Sequence, residues 1–407
     1  MKRQGPQRVL AVLMIVAASA LGACGDDDDG SGSSSTDAGD QLTGEPLKLM
    51  AVYEGSGIAS ASPEIPEGAI AAAEAINARG GIAGRPVEII ACDTQNDPNL
   101  AADCGRRAVS EGVVAMVGNL TLYSNQFMPL MAENRIASIG LEPATGDDFT
   151  SPAAFPIAGG APVIWAGMPG ALAERGAEKI VLARIDIDAG AALVDFANAG
   201  LERFDMTVSR DVPVPPGAPD MSTYVAAALE DGTDAIVVGL PAQDAINFVV
   251  ALRQVAPEID IALSATELGK VLDALGDNAE GIIMTASLTT ALQNEAERQY
   301  EDDMASAGYD QLGGFALAAY ASVMLFEEIA QDLPDITAEA VFAALEQAED
   351  LDVGLTPPLQ FRTGGVADLP RVFNSCVLAI RIHDRQQEPL TGTFYDVYTG
   401  EECPTPA

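Results

Sequence analysis

A chain of 407 residues with 48% apolar side chains can bury sizeable cores, and its length suits two domains or one large bilobal unit. Its charge is lopsided: 21 lysines and arginines stand against 60 aspartates and glutamates, a formal net charge of −39. Such a surface repels nucleic acid and anionic lipid, so neither is expected as a partner.

The N-terminus reads as a targeting segment. Lys2, Arg3 and Arg8 form a basic start, and Val9 to Leu21 is an apolar run of 13 residues, short for a bilayer span. It ends in Leu21-Gly22-Ala23-Cys24, which resembles a bacterial lipobox, so residues 1–23 are expected to be a signal peptide and Cys24 the lipidated first residue. Residues 24–46 read as a flexible tether, with four successive aspartates, Asp26 to Asp29, followed by Gly, Ser and Thr. No later apolar run reaches the ~18 residues that span a bilayer. The expected mature chain is therefore anchored to a membrane outside the cytoplasm and does not cross it.

From Leu47 onward, β-branched runs alternate with alanine-rich amphipathic stretches. Strands are expected at Leu47–Tyr53, Val87–Ala91, Val113–Val117 and Ile136–Ile139. Helices between them are expected at Pro66–Ala78, Asn99–Ser110 and Ser124–Glu133. This is the βαβ pattern of a parallel sheet wrapped by helices. A Pro/Gly-rich passage, Ser151 to Pro162, reads as a crossover. The pattern then restarts, with helices at Ala161–Arg175, Gly190–Phe204, Ser222–Glu230 and Ala242–Val255. Its strands are Lys179–Ile185, Thr207–Pro213, Ala235–Val238, Ile259–Leu263 and Ile282–Ala286. Helices return near Glu295–Ala307, Phe315–Gln331 and Ala338–Gln347, and the end turns β-rich at Val377–Ile382 and Thr393–Tyr398.

Four cysteines follow Cys24: Cys92, Cys104, Cys376 and Cys403. An even count in an exported chain points to two disulfides, with three pairings open. The near-neighbour pairing, Cys92 with Cys104 and Cys376 with Cys403, closes the shortest loops, and the shorter loop is worth about 3 kcal/mol. With no C-x-x-C and one histidine, His383, neither a metal site nor another cofactor is expected.

Several segments in order resemble the type I periplasmic binding proteins, the group that includes the branched-chain amino acid binding proteins. The most specific is Ala75-Ile76-Asn77-Ala78-Arg79-Gly80-Gly81-Ile82-Ala83-Gly84-Arg85-Pro86. Cys92-Asp93-Thr94-Gln95-Asn96-Asp97-Pro98, Val113 to Gly118, Asp277 to Gly281 and Phe315 to Tyr320 continue it. Each also has a local reason: Asn77 to Gly81 is a helix stop where glycine takes the left-handed conformation, and Asp97-Pro98 caps and opens a helix. The resemblance implies an α/β fold of two Rossmann-like lobes joined by a multi-crossing hinge. It puts residues 47–158 plus 288–350 in an N-terminal lobe and 159–287 plus 351–407 in a C-terminal lobe. A ligand would sit in the cleft between them.

Ligands of open α/β sheets sit beyond the carboxyl ends of the strands. That rule selects Tyr53, Glu54, Asn119, Leu120, Thr121, Glu142 and Thr145 in the first lobe, and Asp186, Gln243 and Glu267 in the second. The resemblance adds Phe315 as a pocket aromatic. It also implies that first-lobe hydroxyls and N–H groups hold a ligand carboxylate and that a second-lobe acid holds its ammonium. Two positions depart: Leu122 stands where the family carries a serine, and Asp188 or Ala189 where it carries an aromatic. The acids Glu54, Glu142, Asp186, Asp188 and Glu267 all fall in these loops, and inward-facing ones would favour a positively charged ligand. Thr121, Thr145 and Gln243 serve equally well as helix caps, and Trp165 as a packing residue.

The expected function is capture of a small polar solute, an amino acid or a related amine, amide or carboxylate, for delivery to the permease of an ABC importer. A sensing ectodomain that binds the same ligand shares every one of these features. The chain is expected to act as a monomer. No catalytic motif is present: the sequence has no G-x-S-x-G, no H-E-x-x-H and no phosphate loop.

Overall fold

The computed structural model describes residues 42–56, 62–140, 143–264, 268–288, 291–310, 312–362, 365–366 and 369–406. The expected signal peptide, Cys24 and most of the tether lie outside the described residues. Among the described residues, no helix is long and apolar enough to cross a membrane.

The first lobe begins β1 (Leu47–Tyr53), α1 (Glu64–Ala78), β2 (Val87–Asp93), α2 (Pro98–Ser110). It continues β3 (Ala115–Val117), α3 (Met128–Glu133), β4 (Ala137–Ile139) and α4 (Gly146–Thr150). Its sheet runs β2-β1-β3-β4, with every pairing parallel. Both faces are covered, so β3 and β4 are buried at every position; β3 is wholly apolar, and β4 carries one polar residue, Ser138. Gly80 and Gly81 take φ of 107° and 66° to stop α1, as the sequence implied. Asp97 caps α2 by accepting from the Asn99 N–H at 2.7 Å, with Pro98 in the first turn.

The second lobe runs α5 (Gly160–Glu174), β5 (Ile180–Ile185), α6 (Ala192–Leu201), β6 (Arg210–Val214) and α7 (Ser222–Ala228). Then come β7 (Ala235–Gly239), α8 (Ala242–Val255), β8 (Asp260–Ser264), α9 (Leu268–Leu275) and β9 (Ile283–Ala286). The chain returns to the first lobe for α10 (Glu295–Ser306), α11 (Gly314–Ala330) and α12 (Ala338–Gln347). It ends with β10 (Cys376–His383), β11 (Gln386–Pro389) and β12 (Tyr395–Asp396) on the second sheet. That sheet is ordered β11-β10-β9-β8-β7-β5-β6, with β12 also on β10. The pairings from β5 to β9 are parallel, and β10 is antiparallel to its neighbours.

One core fills the first lobe and joins residues between Leu47 and Ile157 to residues between Tyr300 and Phe361. Leu351, Leu355, Leu359 and Phe361 belong to it, past the expected boundary at 350. Two cores cover the two faces of the second sheet. A small fourth cluster, Val163, Ala166, Val372, Val377 and Val397, sits where the chain passes between lobes. The helix α11 is buried on nearly all sides because it is apolar on all sides.

Two expected helices differ. Ser124–Glu133 is interrupted at Phe127, with a 3₁₀ turn before it and Pro129 in the first turn of α3, where a missing N–H costs nothing. Gly190–Phe204 keeps an α-helix only at its centre, between two 3₁₀ turns. The elements α4, α9 and β11 arise where none was expected. The sequence of β11, Gln386 to Pro389, lacks any apolar alternation, and it is extended because it pairs with β10 at the sheet edge.

The cysteines form Cys92–Cys104 and Cys376–Cys403, the near-neighbour pairing. The first ties β2 to α2, and the second ties the start of β10 to the C-terminal tail.

Candidate functional site at the strand ends

Each passage between lobes leaves or enters at the carboxyl end of the parallel strands. The first departs from β4: Ala154 runs beside Ser138, and the Ile157 N–H donates to the Gly140 carbonyl at 3.1 Å. The second departs from the end of β9. The third enters β10 opposite that same end, where Leu378 pairs with Ala286. Asn374 Nδ2 donates to the Ile157 carbonyl and to Thr356 Oγ1, both at 3.0 Å, and so joins the outgoing and returning passages. The strand-end loops are therefore the segments beside the passages between lobes.

In the first lobe these loops are braced from within by carboxylates and an amide. Glu54 is 3% exposed and accepts from the Thr121 hydroxyl at 3.1 Å and the Leu122 N–H at 3.0 Å. Thr121 Oγ1 in turn accepts from the Tyr123 N–H. Asn119 is buried, its Oδ1 accepting from the Val52 N–H and its Nδ2 donating to Ser138 Oγ, each at 2.9 Å. It thereby staples β1, β3 and β4. Asp93 accepts from the N–H groups of Gly55 and Gln95 at 2.8 Å. Asp148 accepts from the N–H groups of Ala144 and Thr145 and from Thr145 Oγ1. Ser124 Oγ and Thr145 Oγ1 share a hydrogen bond beside this carboxylate. Burial pushes the Asp148 carboxyl up from its ordinary range, against the pull of these hydrogen bonds. Tyr53 is half-buried at the end of β1, its phenol pushed up first by burial and then by Asp93. The Thr94 hydroxyl has no partner and lies fully shielded.

Leu120 packs partly against the first core, and its N–H donates to the Val52 carbonyl. Phe315 opens α11 and also packs against that core. Its neighbour Ala319 lies against Gly118, at the end of β3, where an added Cβ would stand 2.9 Å away. In the second lobe, Asp186 is exposed, with its N–H bonded to the Val214 carbonyl. Gln243 is exposed on α8 and donates to Asn247 Oδ1 at 3.0 Å. Glu142 and Glu267 lie outside the described residues, as does the Asp188 side chain.

Arg184, which sequence reasoning did not single out, and Trp165, expected to pack, complete the arrangement. Arg184 at the end of β5 is 8% exposed and donates to Asp211 at 2.7 Å and to the Ile185 carbonyl at 3.1 Å. Trp165 covers the end of β7, where an added Cβ on Gly239 would stand 1.7 Å from the ring. Two large apolar side chains in the loops are exposed: Leu122 after β3 at 50% and Ile187 after β5 at 47%. The signal for the braces was present as acids and hydroxyls in adjacent loops, but pairing them required the fold. A cavity of about 530 Å³ lies elsewhere, between α10 and the β10–β11 turn, and Glu297, Arg298, Glu301 and Arg385 are among its lining residues.

Solved structures with the same fold include a leucine-, isoleucine-, valine-, threonine- and alanine-binding protein from Brucella ovis in a closed conformation. It is 16% identical, with 88% of this chain and 97% of that one covered at a TM-score of 0.72. A branched-chain amino acid transporter substrate-binding protein from Streptococcus pneumoniae, in complex with isoleucine, is 18% identical. It covers 85% of this chain and 99% of its own at a TM-score of 0.68. A possible leucine/isoleucine/valine-binding protein from Rhodopirellula baltica SH 1 is 18% identical, covering 86% and 97% at 0.70. No curated protein matches the chain at a significant level. The family model for periplasmic binding proteins matches residues 50–371, from within β1 to just before β10, and the chain belongs to that family.

Proposed function

We propose that the chain is an extracytoplasmic solute-binding lipoprotein that takes one small polar molecule between its lobes and hands it to an ABC importer. The observation that carries this reading is the family match over 50–371 together with two sheets whose carboxyl ends adjoin the passages between lobes. The family is one of solute binding, not catalysis. The structural relatives bind branched-chain and related amino acids, which favours a ligand of amino acid size. Cys24 would carry the lipid, and the segment behind it would act as a tether. Closure would follow when ligand contacts both lobes and so favours the closed state.

Lobe limits near 47–158 with 288–361, and 159–287 with 362–407, are part of the proposal, the first-lobe core reaching past the expected limit at 350, as are monomeric action and the permease partner. The test is a melting scan of the purified mature chain against amino acids, amides, amines and small carboxylates, with the added compounds quantified afterwards. A ligand-dependent rise in melting temperature with no consumption of the compound is expected. Turnover of a stabilising compound would overturn the reading.

A further inference from the structure

Capture of a carboxylate needs unspent donors, and among the described first-lobe loop residues five donors are committed to the protein's own acids. The Leu122 N–H and the Thr121 hydroxyl go to Glu54, the Gly55 N–H goes to Asp93, and the Ala144 and Thr145 N–H groups go to Asp148. Glu54 is 3% exposed, so an incoming anion would have to displace a buried carboxylate and take its place beside it. Two carboxylates at one pair of donors repel each other, and the one left unpaired keeps its desolvation cost.

The electrostatic surroundings point the same way. Arg184 is the only basic residue in the strand-end loops, and it is engaged by Asp211 and the Ile185 carbonyl. Lys270 stands outside these loops, on the first turn of α9. Asp186 is exposed in the second-lobe loop after β5. Beside these acids, Leu122 and Ile187 expose apolar surface, one in each lobe. Apolar surface of this kind is what a hydrocarbon group would cover.

Resting on the solute-binding reading above, we propose that the cleft selects a small amine or amide with a branched apolar group and excludes carboxylate-bearing analogues. Glu54 fills the place of a ligand carboxylate. The exposed acid side faces the ligand's amino or amide group, and Leu122 and Ile187 face its hydrocarbon.

The test is calorimetric titration and melting of the full mature chain with matched probes: isoamylamine, leucinamide, leucine and 4-methylpentanoate. Isoamylamine or leucinamide is expected to bind at least roughly tenfold more tightly than leucine, and 4-methylpentanoate not at all. Asp186→Asn is expected to weaken the amine roughly tenfold while leaving the ligand-free melting temperature unchanged. Glu54→Gln keeps an acceptor for Thr121 and Leu122, and in that variant the discrimination between leucinamide and leucine should shrink. Tighter binding of leucine or 4-methylpentanoate overturns the inference and leaves the solute-binding reading standing. Failure of all four probes overturns the inference, and failure of the wider panel as well overturns the reading itself.

Discussion

The Cβ that Gly68 lacks would stand 2.0 Å from the carbonyl oxygen of Ala316. Gly68 lies on α1 and Ala316 on α11, so the two helices meet backbone to backbone at this point. The second lobe repeats the device: an added Cβ on Gly200 of α6 would stand 2.0 Å from the carbonyl oxygen of Ala166 on α5. Gly68→Ala would gain about 1 kcal/mol of helix propensity. It would lose about 1–3 kcal/mol or more to overpacking against a backbone atom that cannot swing aside. The net expected change is a loss of stability, read as a lower urea midpoint with an unchanged slope. A midpoint at or above that of the parent would show that the helices can separate without cost.

Asn119 tests bracing against ligand contact. In the ligand-free protein Asn119→Ala leaves the buried Val52 N–H without a partner, at an expected cost of about 1–3 kcal/mol. Thermal melting without any ligand checks it. An unchanged melting temperature, with loss of ligand binding alone, would assign the side chain to the ligand instead.

The two disulfides close loops of 12 and 27 residues in sequence separation. In the chain-entropy model they contribute about 3 and about 3.5 kcal/mol. Replacing Cys92 and Cys104 by serine should lower stability by about the first amount, and replacing Cys376 and Cys403 by about the second. Denaturation of each double variant beside the parent gives both values, and an effect below about 1 kcal/mol for both would contradict the estimate.

His383 Nδ1 donates to the Glu280 carboxylate at Oε1, 2.8 Å away. The hydrogen bond to Glu280, then the Asp384 and Glu280 charges, raise the imidazole above its ordinary range. The same contact lowers the Glu280 carboxyl. A raised histidine stabilises the fold fully below its unfolded value of about 6.5 and loses that contribution as pH climbs through the folded value. Because the chain holds one histidine, its proton resonances titrate without overlap. The midpoint should lie above about 6.5 and fall in Glu280→Gln; equal midpoints in parent and variant would contradict the assignment.

Much of the fold was legible because its elements follow one rule each. The strand β1 at Leu47–Tyr53 and the helices α8 and α12 begin and end where their periodicity says. Glycine at 80 and 81 and Asp97-Pro98 fix their boundaries by local chemistry. What could not be read depends on distant partners. The extended conformation of Gln386–Pro389 is imposed by β10, and the break at Phe127 falls where that side chain is buried against Gly105 of α2. The site was legible as a set of loops but not as a set of roles. Glu54, Asn119, Thr121 and Thr145 lie in the expected loops, yet each carries a hydrogen bond to another protein group. Sequence spacing identifies which loops meet, whereas only coordinates show which donors are already taken.

Small-angle scattering tests hinged capture most directly. The mature chain is measured alone and then with each member of the amino acid, amide, amine and carboxylate panel at saturation, with stoichiometry from calorimetry. Hinged capture predicts one bound molecule per chain and a smaller radius of gyration in the bound state. Tight binding that leaves the radius unchanged, or that takes more than one molecule per chain, would contradict it.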